Sequence, residues 1–252
     1  MPIDKLINIL ITITLFEMMV AIGLSVGLAE IMGVARNAGT VIRAALANYF
    51  LVPLIVLGLL FLFRPDPLVA AGFLIVAVCP GAPYGPPFTA IAKGNVSTAV
   101  SLMVILAGSS AVLAPALLYF LLPLMGGGGT LSVDAGRILI TLLLTQLLPL
   151  CIGLLIRHRR PDTAARLQKP FNQLSKVLNL LVLGFILVVQ FHVLSAVRPK
   201  AYAGMIALLV LSLASGWLLG ESGSANRKAI ALVTSVRNVS VSLVIVTGSF
   251  PG

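Results

Sequence analysis

Long apolar runs alternate with short polar or basic breakers along this chain. A membrane-crossing helix needs about 20 mostly apolar residues. Eight stretches qualify, at about 6–32, 41–63, 68–92, 96–124, 135–156, 173–195, 201–220 and 229–252. The runs are continuous rather than alternating, which predicts helices and excludes a transmembrane β-barrel. Between them lie Arg64-Pro65-Asp66-Pro67, Gly126 to Gly129, Arg157-His158-Arg159-Arg160-Pro161, Arg198-Pro199-Lys200 and Glu221-Ser222-Gly223-Ser224. Proline, glycine and clustered polar residues end helices, so these are read as connections. Residues 162–172 read as a short amphipathic surface helix ahead of the sixth span.

Two of the eight runs are interrupted near their middles. One reads Cys79-Pro80-Gly81-Ala82-Pro83-Tyr84-Gly85-Pro86-Pro87, the other Thr234-Ser235-Val236-Arg237-Asn238. Unwound backbone at bilayer depth is tolerated only where protein or a wet cavity surrounds it. One interrupted segment late in each half of a chain is a sequence pointer to a transporter's binding site. In the first break Pro80, Pro83, Pro86 and Pro87 cannot donate backbone hydrogen bonds, and Gly81 and Gly85 allow unusual dihedrals. Pro86-Pro87 can open a half-helix, 88–92, ending at Lys93-Gly94 in a glycine cap. Its free N–H groups would favour an anion. The plainer alternative is a proline kink.

In the second break Arg237 is the sharpest residue, because a guanidinium in mid-membrane is costly and needs a partner. It reads as a bidentate clamp for a carboxylate or sulfonate; a structural ion pair or a snorkelling arginine are the alternatives. Asn238 can cap a half-helix beginning near Ser240. Glu17, twelve residues into the first span, has three readings: a buried proton carrier, the counter-ion of Arg237, or a hydrogen-bonded interface residue. Asn48, Gln146, Asn179, Gln190 and His192 are further polar residues in or near spans, usually interhelical glue. The candidate substrate-binding set is Arg237, Asn238, Asn48, Tyr84, Gly85, Thr234 and Ser235.

Composition agrees with the pattern. The chain has 252 residues, 59% hydrophobic and 10% charged, with mean hydropathy +1.12. Soluble domains carry roughly a quarter charged residues. Net charge is +10. The bases cluster between apolar runs, so they read as topology signals and as attraction to anionic membrane lipid, not to nucleic acid. Arg36, Arg43, Lys93, Arg157, Arg159, Arg160, Arg166, Lys169, Lys176, Arg227 and Lys228 fall on one side, and Lys5, Arg64, Arg137, Arg198 and Lys200 on the other. The richer side should be cytoplasmic, which places the N-terminus outside a plasma (inner) membrane. The first broken span then runs inward and the second outward, as inverted repeats require. The chain stops at Ser249-Phe250-Pro251-Gly252 with no polar tail, so a last helix is expected to be missing.

Cys79 and Cys151 lie in apolar runs and read as small buried hydrophobes; no metal site is expected. Asn95-Val96-Ser97 and Asn238-Val239-Ser240 match a glycosylation pattern but sit at or in the membrane. No zinc-protease, nucleophile-elbow or phosphate-loop motif occurs, which leaves an enzyme reading without support.

At four places the chain resembles the bile acid:sodium symporter family: Met19 to Ser25, Cys79-Pro80-Gly81, Ala92-Lys93-Gly94-Asn95-Val96, and Arg227-Lys228-Ala229 through Arg237-Asn238-Val239-Ser240. The resemblance implies an all-α membrane protein of nine or ten helices with two inverted repeats. Two discontinuous helices would cross in a core domain (about 41–124 and 201–252) beside a panel domain (about 6–32, 135–156 and 173–195). All of 1–252 would form one membrane domain. It also implies transport of organic anions such as sterol acids, pantoate-like acids or sulfonates, commonly driven by sodium.

The departures are specific. Sodium-coupled relatives offer a Ser-Asn pair where this chain has Gly85 and Pro86, a glutamate where it has Val233, and glutamines at Arg237 and Asn48. Sodium wants hard oxygen ligands, and exchanging a carboxylate for a nearby fixed cation opposes it. The expectation is therefore a secondary transporter of a small organic anion working by alternating access. Arg237 takes the sodium's place, Na⁺ is disfavoured, and H⁺ is a candidate through Glu17. No other cofactor is expected. The alternatives are a sodium-coupled symporter, a passive channel, and a membrane sensor that binds the ligand without moving it. The sequence says nothing of oligomeric state.

Overall fold

An apolar run in a bilayer must pair its own backbone groups, and a helix does so within one segment. All the regular structure among the described residues is accordingly helical. The computed structural model describes residues 3–124, 133–189, 191–195, 199–221 and 223–249. The helices are α1 (Ile3–Ser25), α2 (Leu28–Ala35), α3 (Ala38–Leu46), α4 (Val52–Phe63), α5 (Pro67–Ala77), α6 (Gly85–Ile91) and α7 (Val96–Leu121). After them come α8 (Ala135–Leu142), α9 (Leu148–Arg159), α10 (Pro161–Val189), α11 (Phe191–Ser195), α12 (Pro199–Leu219), α13 (Ser224–Ser235) and α14 (Val239–Ser249). Single π-helical turns, Ala47–Leu51 and Leu143–Leu147, join α3 to α4 and α8 to α9.

Among the described residues seven helical stretches are long and apolar enough to cross a membrane, and Pro67–Ala77 is a shorter apolar helix. They coincide with the eight predicted spans, with two corrections. The first span does not run on to residue 32: α1 ends at Ser25, and α2 restarts after Gly27. The expected surface helix 162–172 is not separate, because α10 runs unbroken from Pro161 and holds Pro170 within it. Cys151 is exposed on α9, whereas Cys79 is fully buried as expected. The predicted breaker Gly126 to Gly129, Arg198, Ser222, Gln190 and the chain end 250–252 lie outside the described residues.

Asn37, Asn95 and Asp134 cap α3, α7 and α8, each side chain accepting from the amide three residues on (Thr40, Thr98, Arg137). This satisfies amides that no helical carbonyl reaches. Helices α1, α9 and α10 pack on one another and meet the remainder through α7, α8 and α14. At the α1–α9 contact Gly23 and Gly153 lie against each other's backbones, where a Cβ on either would collide. Small residues let membrane helices approach this closely. The apolar core fills the space around α1, α5, α7 and α14 with Leu15, Met19, Leu74, Ile75 and Leu118.

Candidate functional site

Both interrupted helices are broken where expected, at residues 78–84 and 236–238. The breaks meet each other. The Asn238 amide donates to the Cys79 carbonyl at 2.9 Å, and Asn238 Nδ2 donates to the Gly81 carbonyl at 3.4 Å. Beyond the breaks α6 packs on α13 and α5 on α14, so the two rods lie antiparallel. Gly81 has φ +82°, and a Cβ there would come within 2.5 Å of the Ala107 amide on α7. Only glycine meets both demands at once. Asn238 caps α14 as predicted, its Oδ1 accepting from the Val241 amide at 3.2 Å.

The first half-helix differs from expectation. It starts at Gly85 rather than Phe88, with Pro86 and Pro87 in its opening turn. Its N-terminus offers no spare donors: the Gly85 amide bonds Ala82, the Phe88 amide bonds Tyr84, and the prolines have none. The anion-binding N-terminus expected there is absent. At the other end Lys93, not Gly94, takes the left-handed conformation, at φ 55°. Gly94 is needed for space instead, since a Cβ would press on Thr89 and on Lys228 of α13.

At the meeting point sits a buried polar chain. Arg237 Nη1 donates to Asn48 Oδ1 at 3.0 Å, and Asn48 Nδ2 donates to Thr234 Oγ1 at 3.0 Å and to the Ala44 carbonyl at 2.8 Å. An arginine only donates, so it fixes which way the Asn48 amide points. Asn48 and Thr234 are fully buried, and Arg237 is 8% exposed. Asn48 lies in the π turn Ala47–Leu51; π turns are frequent at functional sites. The neighbouring Tyr49 hydroxyl bonds the Leu106 carbonyl at 2.9 Å and Ser109 Oγ at 2.7 Å.

The guanidinium is left two-thirds unused: Arg237 Nε and Nη2 are buried and have no hydrogen-bond partner among the described residues. Its one partner is a neutral amide. Glu17 does not supply the missing charge. Its Oε2 accepts from Ser175 Oγ of α10 at 2.7 Å, and its Oε1 is buried without a partner. The counter-ion reading of Glu17 is not what the geometry shows.

Arg237 lines an open cleft of about 690 Å³ between α5, α12 and α14. Phe73, Phe88, Met205, Leu209 and Leu243 form its apolar walls, and Ser235 and Ser242 lie at the arginine end. Both hydroxyls donate to their own helix or cap, to Leu232 and Asn238 carbonyls. Of the remaining predicted residues, Tyr84 is 46% exposed, and Gly85 packs against Val233. The wall residues escaped sequence reading, being apolar among apolar neighbours. Gln146 acts as glue, its Nε2 donating to the Ala107 carbonyl and to Ser110 Oγ of α7, whereas Asn179 Nδ2 bonds the Ser175 carbonyl of its own helix and reaches α1 only through Met18 Sδ at 3.7 Å. His192 is exposed.

Comparison with known proteins is consistent over most of the chain. A family model described as the Sodium Bile acid symporter family matches residues 12–219. An uncharacterized sodium-dependent transporter, YocS of Bacillus subtilis, is 26% identical over 95% of this chain and 74% of its own length. Sodium/bile acid cotransporter 5 of the rat is 25% identical over 92% of this chain and 54% of its own. A probable sodium/metabolite cotransporter of rice chloroplasts, BASS2, is 27% identical over 63% of this chain and 36% of its own. The chain thus spans about half or less of two of these three relatives.

Proposed function

This chain belongs to the sodium bile acid symporter family, a family of transporters and not enzymes, and from that premise we propose that it carries a small organic anion by alternating access without sodium. One observation carries the reading: a buried arginine at the meeting of two broken helices with two donors unspent. Burying a bare cation is costly, and donors left unmade in a low-dielectric site lose their hydration without return. A carboxylate or sulfonate taking Nε and Nη2 would restore both terms at once. The cleft beside it is within the roughly 300–1,000 Å³ usual for small-molecule sites. Its apolar walls suit an anion with a hydrocarbon body, in line with the bile acid in the rat relative's name.

The absence of sodium coupling rests on what replaces its ligands. Val233 and Gly85, which the family resemblance aligns with a glutamate and a serine of sodium-coupled relatives, pack against each other; a Cβ on Gly85 would lie 3.2 Å from Val233 Cγ2. Hydrocarbon meets hydrocarbon there, and no oxygen is offered by either side chain. Asn48, which the resemblance aligns with a glutamine of those relatives, already spends its oxygen on Arg237. The fixed guanidinium then supplies the positive charge that a bound Na⁺ supplies elsewhere in the family.

In this reading α1, α8, α9 and α10 form the panel, and the broken pair with α3, α4, α7 and α12 the core, the two moving against each other with the N-terminus outside a plasma membrane. Glu17, between α1 and α10, is the candidate proton carrier. Counterflow in proteoliposomes, in sodium and in choline buffers, tests the reading. Exchange acceleration equal in both supports a sodium-independent carrier. Flux without acceleration indicates a channel, and binding without flux a sensor.

A further inference from the structure

A second groove lies apart from the Arg237 cleft, on the outer side of the α12–α13 pair. It has a volume of about 540 Å³, and its walls are Leu213, Ala214, Trp217, Ala231 and Leu232, with Lys228 at one end. We propose that this groove binds an anionic phospholipid, its acyl chain along α12 and α13 and its headgroup on Lys228 and its basic neighbours.

Three observations converge on it. The first is charge. Lys228 Cβ lies against Gly94, which places the exposed Lys93 beside it. Arg227 also stands here, its guanidinium 5.7 Å above the Trp217 ring. Lys228 thus lines a groove whose interior is hydrocarbon, and Lys93 and Arg227 adjoin its lining residues Ala92 and Trp217, a pairing that matches an anion with an apolar tail. The acid of the same turn, Glu221, is drawn away toward α3, where Thr40 and Asn37 donate to it.

The second is depth. Trp217 stands two residues from the end of α12, where tryptophan marks the membrane–water interface. A headgroup at that level would meet Lys228, while the acyl chain would continue toward Val210 and Leu213. The third is the side. Hydrogen bonds tie the three basic connections into one face: Glu221 joins the turn before α13 to Asn37, and the Asn95 amide donates to the Ala225 carbonyl. This is the face with the larger excess of lysine and arginine, the face that meets an anionic leaflet.

Trp217 is the single tryptophan of the chain, so its fluorescence reports on this groove alone. The protein is placed in phosphatidylcholine vesicles with a fixed fraction of acyl-brominated lipid, either phosphatidylglycerol or phosphatidylcholine. Brominated phosphatidylglycerol should quench Trp217 with a binding constant on the order of 100-fold above that of brominated phosphatidylcholine. Each base removed should cut the excess by about five-fold. Thus Lys228→Gln combined with Lys93→Gln should cut the excess about 25-fold while leaving phosphatidylcholine quenching unchanged. Equal quenching of the unaltered protein by both lipids overturns the proposal. So does an absence of quenching by either, which would mean that something other than lipid fills the groove.

Discussion

Arg237 Nη1 donates to Asn48 Oδ1 at 3.0 Å, joining residues 189 positions apart, and this is the only hydrogen bond found for the guanidinium among the described residues. Arg237→Gln should therefore keep a bond to Asn48 but remove the charge and the free donors. Each charge-assisted hydrogen bond contributes roughly 1.5–3 kcal/mol, so losing two should weaken binding of an organic anion about 100-fold or more. Arg237→Lys keeps the charge without the planar fork and should fall in between. Isothermal titration checks the order; equal affinity in all three proteins would remove Arg237 from the site.

The break at Gly81 is predicted to be intolerant. Alanine there must hold a left-handed backbone, at about 1–2 kcal/mol, and must also push into Ala107, at about 1–3 kcal/mol. Gly81→Ala should lower the thermal midpoint in detergent clearly. Gly58→Ala is the control: nothing lies within 4 Å of its added Cβ, and replacing a mid-helix glycine should stabilise by up to about 1 kcal/mol. Equal midpoints for the two variants would contradict the tight contact between break and α7.

The breaks were legible because the bilayer punishes what made them. Pro80, Pro83, Pro86 and Pro87 have no place in an ordinary apolar helix, and Arg237 none in an ordinary span. The partners of Arg237 were not legible. Asn48 accepts from it out of a buried π turn ahead of Pro53, and nothing in the residues 47–51 announces that turn. The α6 terminus misled for a related reason: two prolines that suit a helix start also remove the amides that would have held an anion. The Glu221 cluster was seen only as a breaker, since its partners Asn37, Thr40 and Asn226 are distant in sequence or look like turn residues.

Glu221 lies outside the spans, and its carboxyl is held below the usual 4.5, chiefly by the hydrogen bond from Thr40, with Asn226 and Asn37 adding to it. A depressed folded-state pKa gives stability that is complete above the unfolded value and is lost as pH falls through the folded one. The native protein should exceed Glu221→Gln in thermal midpoint by a constant margin above about pH 4.5, and that margin should close as pH drops further. A margin independent of pH would mean that charge at this latch contributes nothing.

Glu17→Gln preserves an acceptor for Ser175 and removes the titrating group. If Glu17 carries the coupled proton, uptake in the variant should lose its pH dependence while anion binding persists. A pH profile that matches the native protein would assign Glu17 to the α1–α10 interface alone.

Thermal stabilisation by cholate, pantoate and an alkyl sulfonate, recorded in sodium chloride and in choline chloride, bears most directly on the guanidinium acting in place of a bound Na⁺. At least one of these anions should raise the midpoint equally in both salts, and Arg237→Gln should abolish the rise. A rise that needs sodium, one that survives Arg237→Gln undiminished, or no rise with any of the three would contradict the account.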